Sequence, residues 1–229
     1  MDFYFGSKKL KIGNSIDERF TNWNSNNHLW HSYILNNQLV VAGIKIKGNI
    51  LDKLKLLSNI SIRGRFAIAI ICMKRKFREV NLHQTYEAHF ISEKMATLLT
   101  SDKLGIWEIE MHVYILSNEF GTAQEIISYL KSKDINLEVL DEQLYQSLID
   151  FYINMDDETK EIIGLCETVV GSNLYCGYCE KLSIEPLVEL LDRTDMWGNF
   201  DFYKIAKIYP FSSDDEWGEK FNFSDFKRS

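Results

Sequence analysis

Residues 60–78 read ISIRGRFAIAIICMKRKFR, an apolar run that begins beside two arginines and ends in a cluster of cations. In its first part the even-numbered positions are apolar apart from Gly64, and over residues 66–71 the odd-numbered positions are apolar as well. Alternation that passes into a continuous apolar run is typical of a strand with both faces covered. We therefore predict a buried strand over residues 60–73, with a charged end at residues 74–78.

A second alternating stretch covers residues 106–116 and is followed by helix signals. Apolar residues alternate there with mostly polar ones, and a period of two places the apolar set on one face of a strand. Thr122 and Glu125 have the spacing of a capping box, in which each side chain satisfies a backbone N–H at the start of a helix. Residues 135–139 alternate again. We predict a strand–helix–strand unit over residues 106–140, parallel with a right-handed crossover if both strands share one sheet.

Shorter patterns cover the rest of the chain. Alternation and turn signals predict strands near the N-terminus, and apolar residues at helical spacing predict helices farther along. The predicted strands are residues 1–5, 9–12 and 39–46, and the predicted helices are residues 50–57, 89–99, 141–152 and 156–169, with another beginning near Pro186.

These elements predict an α+β fold, with a mixed or mainly antiparallel sheet and packed helices in the first half and a helix-rich second half. No Pro-, Gly- or Ser-rich linker interrupts the chain, so residues 1–229 are expected to form a single domain or two closely packed lobes. The lobes would be a strand-rich one over residues 1–120 and a helix-rich, acidic one over residues 121–229. A composition that is 45% hydrophobic and 13% aromatic can build a sizeable core and is not typical of disorder.

The N-terminus and the apolar segments indicate the compartment. Met1 is followed by Asp2 and an aromatic run instead of the basic and apolar regions of a secretory signal. The most apolar segment, residues 66–73, is far shorter than the roughly 20 residues of a membrane-spanning helix. Four cysteines in 229 residues do not indicate a disulfide scaffold. We therefore predict a cytoplasmic protein without a membrane partner.

Charge is distributed unevenly along the chain. Residues 1–100 carry 15 Lys and Arg against 7 Asp and Glu, a net of +8, whereas residues 101–229 carry 11 against 26, a net of −15; together these give the formal −7 of the chain. Residues 134–167 alone hold ten acidic residues and one basic residue, Lys160. Such asymmetry indicates a face that meets an oppositely charged partner, or two halves that complement each other within the fold or across a dimer.

The sequence contains no motif that would indicate catalysis or a cofactor. It has no Walker-type loop, no GxGxxG dinucleotide fingerprint and no GxSxG nucleophile elbow. Adjacent acids such as those at residues 156–158 and 214–216 are usually solvated and favour the starts of helices rather than acid–base chemistry. No catalytic residue, metal or cofactor is therefore predicted, and a non-enzymatic function is favoured.

Two motifs leave other functions open. Residues 176–179 read CGYC, the CxxC spacing of redox sites and of half a structural zinc site, for which Cys166 could supply a third thiol. The cations of residues 63–78 could neutralise nucleic-acid phosphates, although a pI near 5.3 is not typical of a dedicated nucleic-acid binder. A zinc or redox protein and a nucleic-acid-associated protein that uses residues 63–78 are therefore the alternatives.

An acidic protein without catalytic motifs has the character of an inhibitor that neutralises a basic enzyme. Charge complementarity gives such inhibitors fast, electrostatically steered association. We predict a non-enzymatic protein-binding inhibitor, a bacterial immunity protein whose partner is a cognate basic toxin domain; nucleic acid is not the expected partner, and no oligomeric state is predicted. The competing interpretation is that the acids are solvated faces that keep the protein soluble. The residues expected to contact the partner are Asp141, Glu142, Asp150, Asp156, Asp157, Glu158, Asp214, Asp215, Glu216 and Trp217.

Overall fold

The structure of the protein is a computed structural model that describes residues 2–5, 8–11, 32–35, 38–41, 44–45, 50–115, 128, 142–175, 180–212 and 214–227. The chain divides into two compact units, Met1–Lys53 and Leu54–Ser229. We call the first the N-terminal unit and the second the helical unit. The single-domain and two-lobe alternatives stay predictions.

The N-terminal unit contains five strands of two to four residues: β1 (Asp2–Phe5), β2 (Lys8–Lys11), β3 (Ser32–Leu35), β4 (Gln38–Val41) and β5 (Ile44–Lys45). β1 pairs antiparallel with β2, and β3, β4 and β5 form a second antiparallel sheet in that order. β1 and β2 lie at the strands predicted at residues 1–5 and 9–12. The single strand predicted at residues 39–46 is wrong, because β4 and β5 divide that stretch and pair with each other.

Nine helices are described along the chain: α1 (Ile50–Ser58), α2 (Ile62–Glu79), α3 (Tyr86–Ala96), α4 (Leu104–Ile115), α5 (Glu142–Asn154), α6 (Asp157–Tyr175), α7 (Ile184–Arg193), α8 (Phe202–Ile208) and α9 (Phe223–Phe226). Short 3₁₀ turns lie at Thr97–Leu99, Glu180–Ser183 and Trp197–Asn199. The helices predicted at residues 50–57, 89–99, 141–152 and 156–169 and near Pro186 are confirmed by α1, α3, α5, α6 and α7.

α2 is the central helix of the helical unit and packs against α3, α6 and α7. Ala67, Ile68 and Ile70 in its middle are fully buried, and a helix that is apolar on every side is a buried helix. The hydroxyl of Ser61 caps its start by accepting from the Gly64 N–H at 3.3 Å. The strand predicted at residues 60–73 is therefore wrong. An unbroken apolar run has no polar residue to mark a face, so its periodicity fits a buried helix as well as a buried strand.

α4 replaces the strand predicted at residues 106–116, which is also wrong. Alternation would place Ile106 and Glu108 on the same face, but Ile106 is 45% exposed whereas Glu108 is buried, as is its neighbour Trp107. Trp107 packs edge-on against Phe66 of α2, with ring centroids 5.6 Å apart. The remainder of the predicted strand–helix–strand unit, residues 116–140, lies outside the described residues apart from residue 128.

The chain after α7 returns across the start of α2. Residues 209–212 and 214–221 form a segment that we call the strap, and its residue Pro210 forms an isolated antiparallel bridge with Ile60. Tyr209, Phe221 and Phe226 pack their rings together at centroid distances of 4.2–5.8 Å. Part of the aromatic C-terminal region therefore packs on the protein itself.

The predicted α+β fold with a mixed or mainly antiparallel sheet and packed helices is wrong: the described residues are mostly helical, and the strands, of two to four residues each, are confined to the N-terminal unit. The two segments that were to build its buried strands form α2 and α4 instead. From residue 54 onward, the described residues form helices, turns and connecting segments, with the Ile60–Pro210 bridge as their one β pairing.

Candidate functional site

The end of α5, the following turn and the start of α6 carry four of the predicted partner-binding acids and one exposed apolar side chain within residues 150–158. We call this group the acidic tip and define it as Asp150, Ile153, Asp156, Asp157 and Glu158. The side chain of Asp157 is 96% exposed, and Asp150 is exposed as well. Ile153 is 65% exposed. An apolar side chain among carboxylates is suited to contact a cationic surface that also has an apolar pocket.

Asp156 fixes the local geometry of the acidic tip because it caps α6. Its two carboxylate oxygens accept from the Thr159 N–H at 2.9 Å and from the Thr159 hydroxyl at 2.7 Å. These hydrogen bonds, with a smaller contribution from Lys76, lower the pKa of Asp156. Asp156 thus has a structural role that the sequence analysis did not assign to it.

Glu158 forms an ion pair inside the helical unit. Its carboxylate lies 2.5 Å from the Nζ atom of Lys76, whose side chain is only 9% exposed. This contact joins the basic segment of α2 to the acidic stretch at the start of α6. Part of the charge segregation in the sequence is therefore compensated within the fold.

The second predicted acidic group, residues 214–217, lies in the strap and contacts α2 through its backbone. The first N–H groups of a helix have no partner within the helix. Here the carbonyls of Glu216 and Trp217 accept from the N–H groups of Ile62 at 3.0 Å and Arg63 at 3.1 Å. Glu216 and Trp217 therefore close the start of α2.

The strap turns sharply at Gly218, where the chain leaves α2. Asp215 accepts from the Gly218 N–H at 3.1 Å, and Gly218 has a φ of +75°, a left-handed conformation that favours glycine. A Cβ atom at Gly218 would lie 2.4 Å from the Cβ of Ser61. Asp214 and Asp215 are exposed beside this turn. The residue type at 218 is therefore dictated by the close approach of the strap to α2.

The two acidic groups do not form one surface. Glu158 contacts the last part of α2 at Lys76, whereas Trp217 contacts its first turn at Arg63. These two residues are thirteen positions apart, which corresponds to about 20 Å along the helix at 1.5 Å per residue. Asp141 lies outside the described residues, and Glu142 is the first residue of α5.

Two arginines of the basic segment are buried at the start of α2. Arg65 is fully buried and donates to the carbonyls of Leu57 and Ser58 at 2.9 and 3.0 Å and to the hydroxyl of Ser183 at 2.6 Å. Its guanidinium lies 5.6 Å from the ring centroid of Phe211. These contacts hold together the end of α1, the start of α7 and the strap.

Arg63 connects α2 to the strap and to the chain after α3. It donates to the carbonyls of Gly218 at 2.9 Å and Ser101 at 2.8 Å, and lies 5.8 Å from the Trp217 ring centroid. Burial lowers the pKa of Arg63, and the charges of Asp215 and Asp102 oppose this shift. Arg63 therefore stabilises the fold.

The described cysteines are buried thiols. Cys72 on α2 and Cys166 on α6 are fully buried and free. Burial raises the pKa of Cys72 to about 12, which suppresses thiolate reactivity. Cys176 and Cys179 lie outside the described residues. Within the part that is described, no group of three His, Cys, Asp or Glu side chains could hold a metal ion.

Sequence reasoning missed Ile153, although the sequence contained a signal for it. Leu144, Leu148 and Phe151 form the predicted apolar stripe of α5, and the first two are buried. Nine residues at 100° per residue place Ile153 on the opposite side of the helix from Leu144. An isoleucine outside its helix's stripe and between acids is a candidate contact residue.

Comparison of the chain with protein-family models, with curated proteins and with solved structures gives no match in any of the three. Among the helices that are described, none has both the length and the apolar character needed to cross a bilayer.

Proposed function

We propose that the protein is a non-enzymatic inhibitor that binds a basic protein through the acidic tip, in the manner of a cytoplasmic bacterial immunity protein that neutralises a toxin domain. The observation that carries the proposal is the exposure of Asp150, Ile153 and Asp157 within eight residues of sequence, at the end of α5 and the start of α6. Carboxylates on a rim steer a cationic partner, and a central apolar residue contributes affinity once water is excluded.

The rigidity of the acidic tip also supports the proposal. Asp156 fixes the start of α6, and the ion pair between Glu158 and Lys76 fixes the tip against α2. α5 packs on α3, where Ser147 donates a hydrogen bond to Glu87. A surface that is already ordered loses little conformational entropy when it binds.

Of the two alternatives, the nucleic-acid interpretation loses part of its support. Arg63 and Arg65 are buried and bound to carbonyl groups, and Lys76 is paired with Glu158, so these three cations do not face solvent as a phosphate-binding row. The zinc or redox alternative depends on Cys176 and Cys179, and it stays a prediction.

The test begins with capture of the tagged protein's partners from cells in which its gene is native, with nuclease and moderate salt in the wash. The captured protein is then purified and its Kd measured for wild type, for Asp150→Lys with Asp157→Lys, and for Glu219→Lys with Asp225→Lys. The control pair introduces the same charge change at exposed acids outside the tip.

We expect one stoichiometric basic protein. The tip variant should weaken its binding by about 100-fold or more, because two repulsive contacts of a few kcal/mol replace attractive ones. The control pair should change the Kd by only a small factor. An eluate without a stoichiometric basic protein, or equal losses for both variants, would contradict the proposal.

A further inference from the structure

Two lysines from distant parts of the sequence lie over one aromatic ring near the end of α2, and Arg78 lies one helical turn from the first of them. Lys74 and Arg78 lie four residues apart and therefore share a face of α2. The Nζ atoms of Lys227, which follows α9, and of Lys74 lie 4.6 Å and 5.8 Å from the ring centroid of Phe223. We call Lys74, Arg78 and Lys227 the cationic cluster.

The cationic cluster is not neutralised by the acids around it. Among the described residues, the carboxylate within ion-pair distance is that of Glu93 on α3, 3.8 Å from the Nζ atom of Lys74. The neighbouring cations of α2 bind other acids, since Arg75 pairs with Glu79 and Lys76 pairs with Glu158. Three cations and one carboxylate leave a local charge of +2.

Lys74 is the inner member of the cluster. Its side chain is 22% exposed, and burial, followed by the charge of Lys227, lowers its pKa, while Glu93 opposes the shift and Arg78 adds to it. Like charges four residues apart on a helix repel each other, and burial makes the repulsion stronger. A bound anion would remove this repulsion.

We propose that Lys74, Arg78 and Lys227 form a binding site for a phosphate group. A phosphate carries close to two negative charges, which matches the local excess, and has several oxygens for donors that arrive from different directions. Arg78 offers a planar fork for two of the oxygens, and the two lysines act as point charges. The site shares no residue with the acidic tip, and its existence does not depend on the proposed inhibitor function.

A phosphate group could belong to a small polyphosphate or to a nucleic-acid backbone, and two probes distinguish these sources. Inorganic pyrophosphate and a fluorescent 12-nucleotide oligothymidylate are titrated at 50 mM salt into the full chain, by calorimetry and by anisotropy. Arg78→Gln with Lys227→Gln tests the site, because both residues are exposed. Lys204→Gln with Lys207→Gln removes two exposed cations of α8 and serves as the matched control.

We expect one equivalent of a phosphate-bearing probe to bind to the wild-type protein. The double variant Arg78→Gln with Lys227→Gln should bind it at least about tenfold more weakly, and the control variant should bind it with nearly unchanged affinity. Tighter binding of pyrophosphate assigns the site to a small ligand, and tighter, steeply salt-dependent binding of the oligonucleotide assigns it to a nucleic-acid backbone. A second measurement uses the wild-type protein alone: pyrophosphate should raise its melting temperature, whereas chloride at the same ionic strength should not. Absence of binding by both probes, or equal losses in the two variants, would overturn the proposal.

Discussion

The two ends of α2 carry the same residue types and use them differently. At its start, Arg63 and Arg65 are buried and donate to carbonyl and hydroxyl groups of remote segments. At its end, Arg75 and Arg78 are exposed, and Lys76 reaches an acid on α6. Six cations within sixteen residues of sequence therefore do not form one basic surface. A segment rich in Lys and Arg forms a basic surface only when the fold leaves those side chains exposed to solvent.

The largest effect should come from Arg65→Met, at the buried end. The substitution removes the donor to acceptors at Leu57, Ser58 and Ser183. Each lost hydrogen bond is expected to cost about 1 kcal/mol or more of stability. We expect a loss of about 3 kcal/mol in the free energy of unfolding, measured by urea denaturation. Arg75→Met, at the exposed end, should cost about 0.5 kcal/mol or less. Equal losses for the two variants would contradict the distinction between the ends.

Gly218→Ala tests the strap that closes the buried end. An alanine at position 218 would have to keep a left-handed backbone conformation, and its Cβ would collide with Ser61. We therefore expect a loss of about 2 kcal/mol in the free energy of unfolding. The control is Gly171→Ala on α6, where a Cβ meets open space. It should raise the stability by about 0.5–1 kcal/mol, because alanine is the better helix former. A tolerated Gly218→Ala would show that the strap does not lie against Ser61.

Asp156→Ala probes the cap of α6, which positions Glu158 beside the exposed end of α2. Loss of the cap should cost about 1 kcal/mol at pH 6. Because the folded state lowers the pKa of Asp156 below its ordinary value of 3.8, this stabilisation is complete above that value and is lost as the pH falls through the folded pKa. The stabilities of wild type and variant should therefore converge below about pH 4 in a denaturation series. A constant difference down to pH 2 would assign the effect to another cause.

Arg78→Gln should have the smallest effect on stability. Arg78 is exposed and adds to the repulsion on Lys74, so its removal should change the free energy of unfolding by less than about 0.5 kcal/mol, with a gain rather than a loss expected. Thermal melting of wild type and variant in low salt measures the difference. A loss above 1 kcal/mol would mean that Arg78 has a structural partner, as Arg65 does.

Sequence patterns predicted the helices with clear apolar stripes. Leu144 and Leu148 mark the buried face of α5, and Pro186 marks the first turn of α7. The patterns failed at α2 and α4. The middle of α2 is buried on all sides, so its apolar residues mark no face. In α4 the sequence alternates like a strand, although the burial of Glu108 beside Trp107 does not follow that alternation. The decision between helix and strand there comes from tertiary packing, such as that of Trp107 on Phe66.

The candidate site was predictable in part. Exposed acids at the start of α6 followed from their position, and Asp157 is indeed exposed. The burial of Arg63 could not be predicted, because its acceptors at Leu98, Ser101 and Gly218 are 35 to 155 residues away in sequence. Lys227 likewise joins the cationic cluster only because the chain after the strap returns to α2.

The most direct test of this description of α2 is residue-resolved amide hydrogen exchange at Ile62 and Arg63. N–H groups in the first turn of a helix normally exchange fast, because they have no partner within the helix. Here the carbonyls of Glu216 and Trp217 accept from them, so we predict slow exchange in wild type and markedly faster exchange in Gly218→Ala. Fast exchange of both amides in the wild-type protein would contradict a start of α2 that the strap closes.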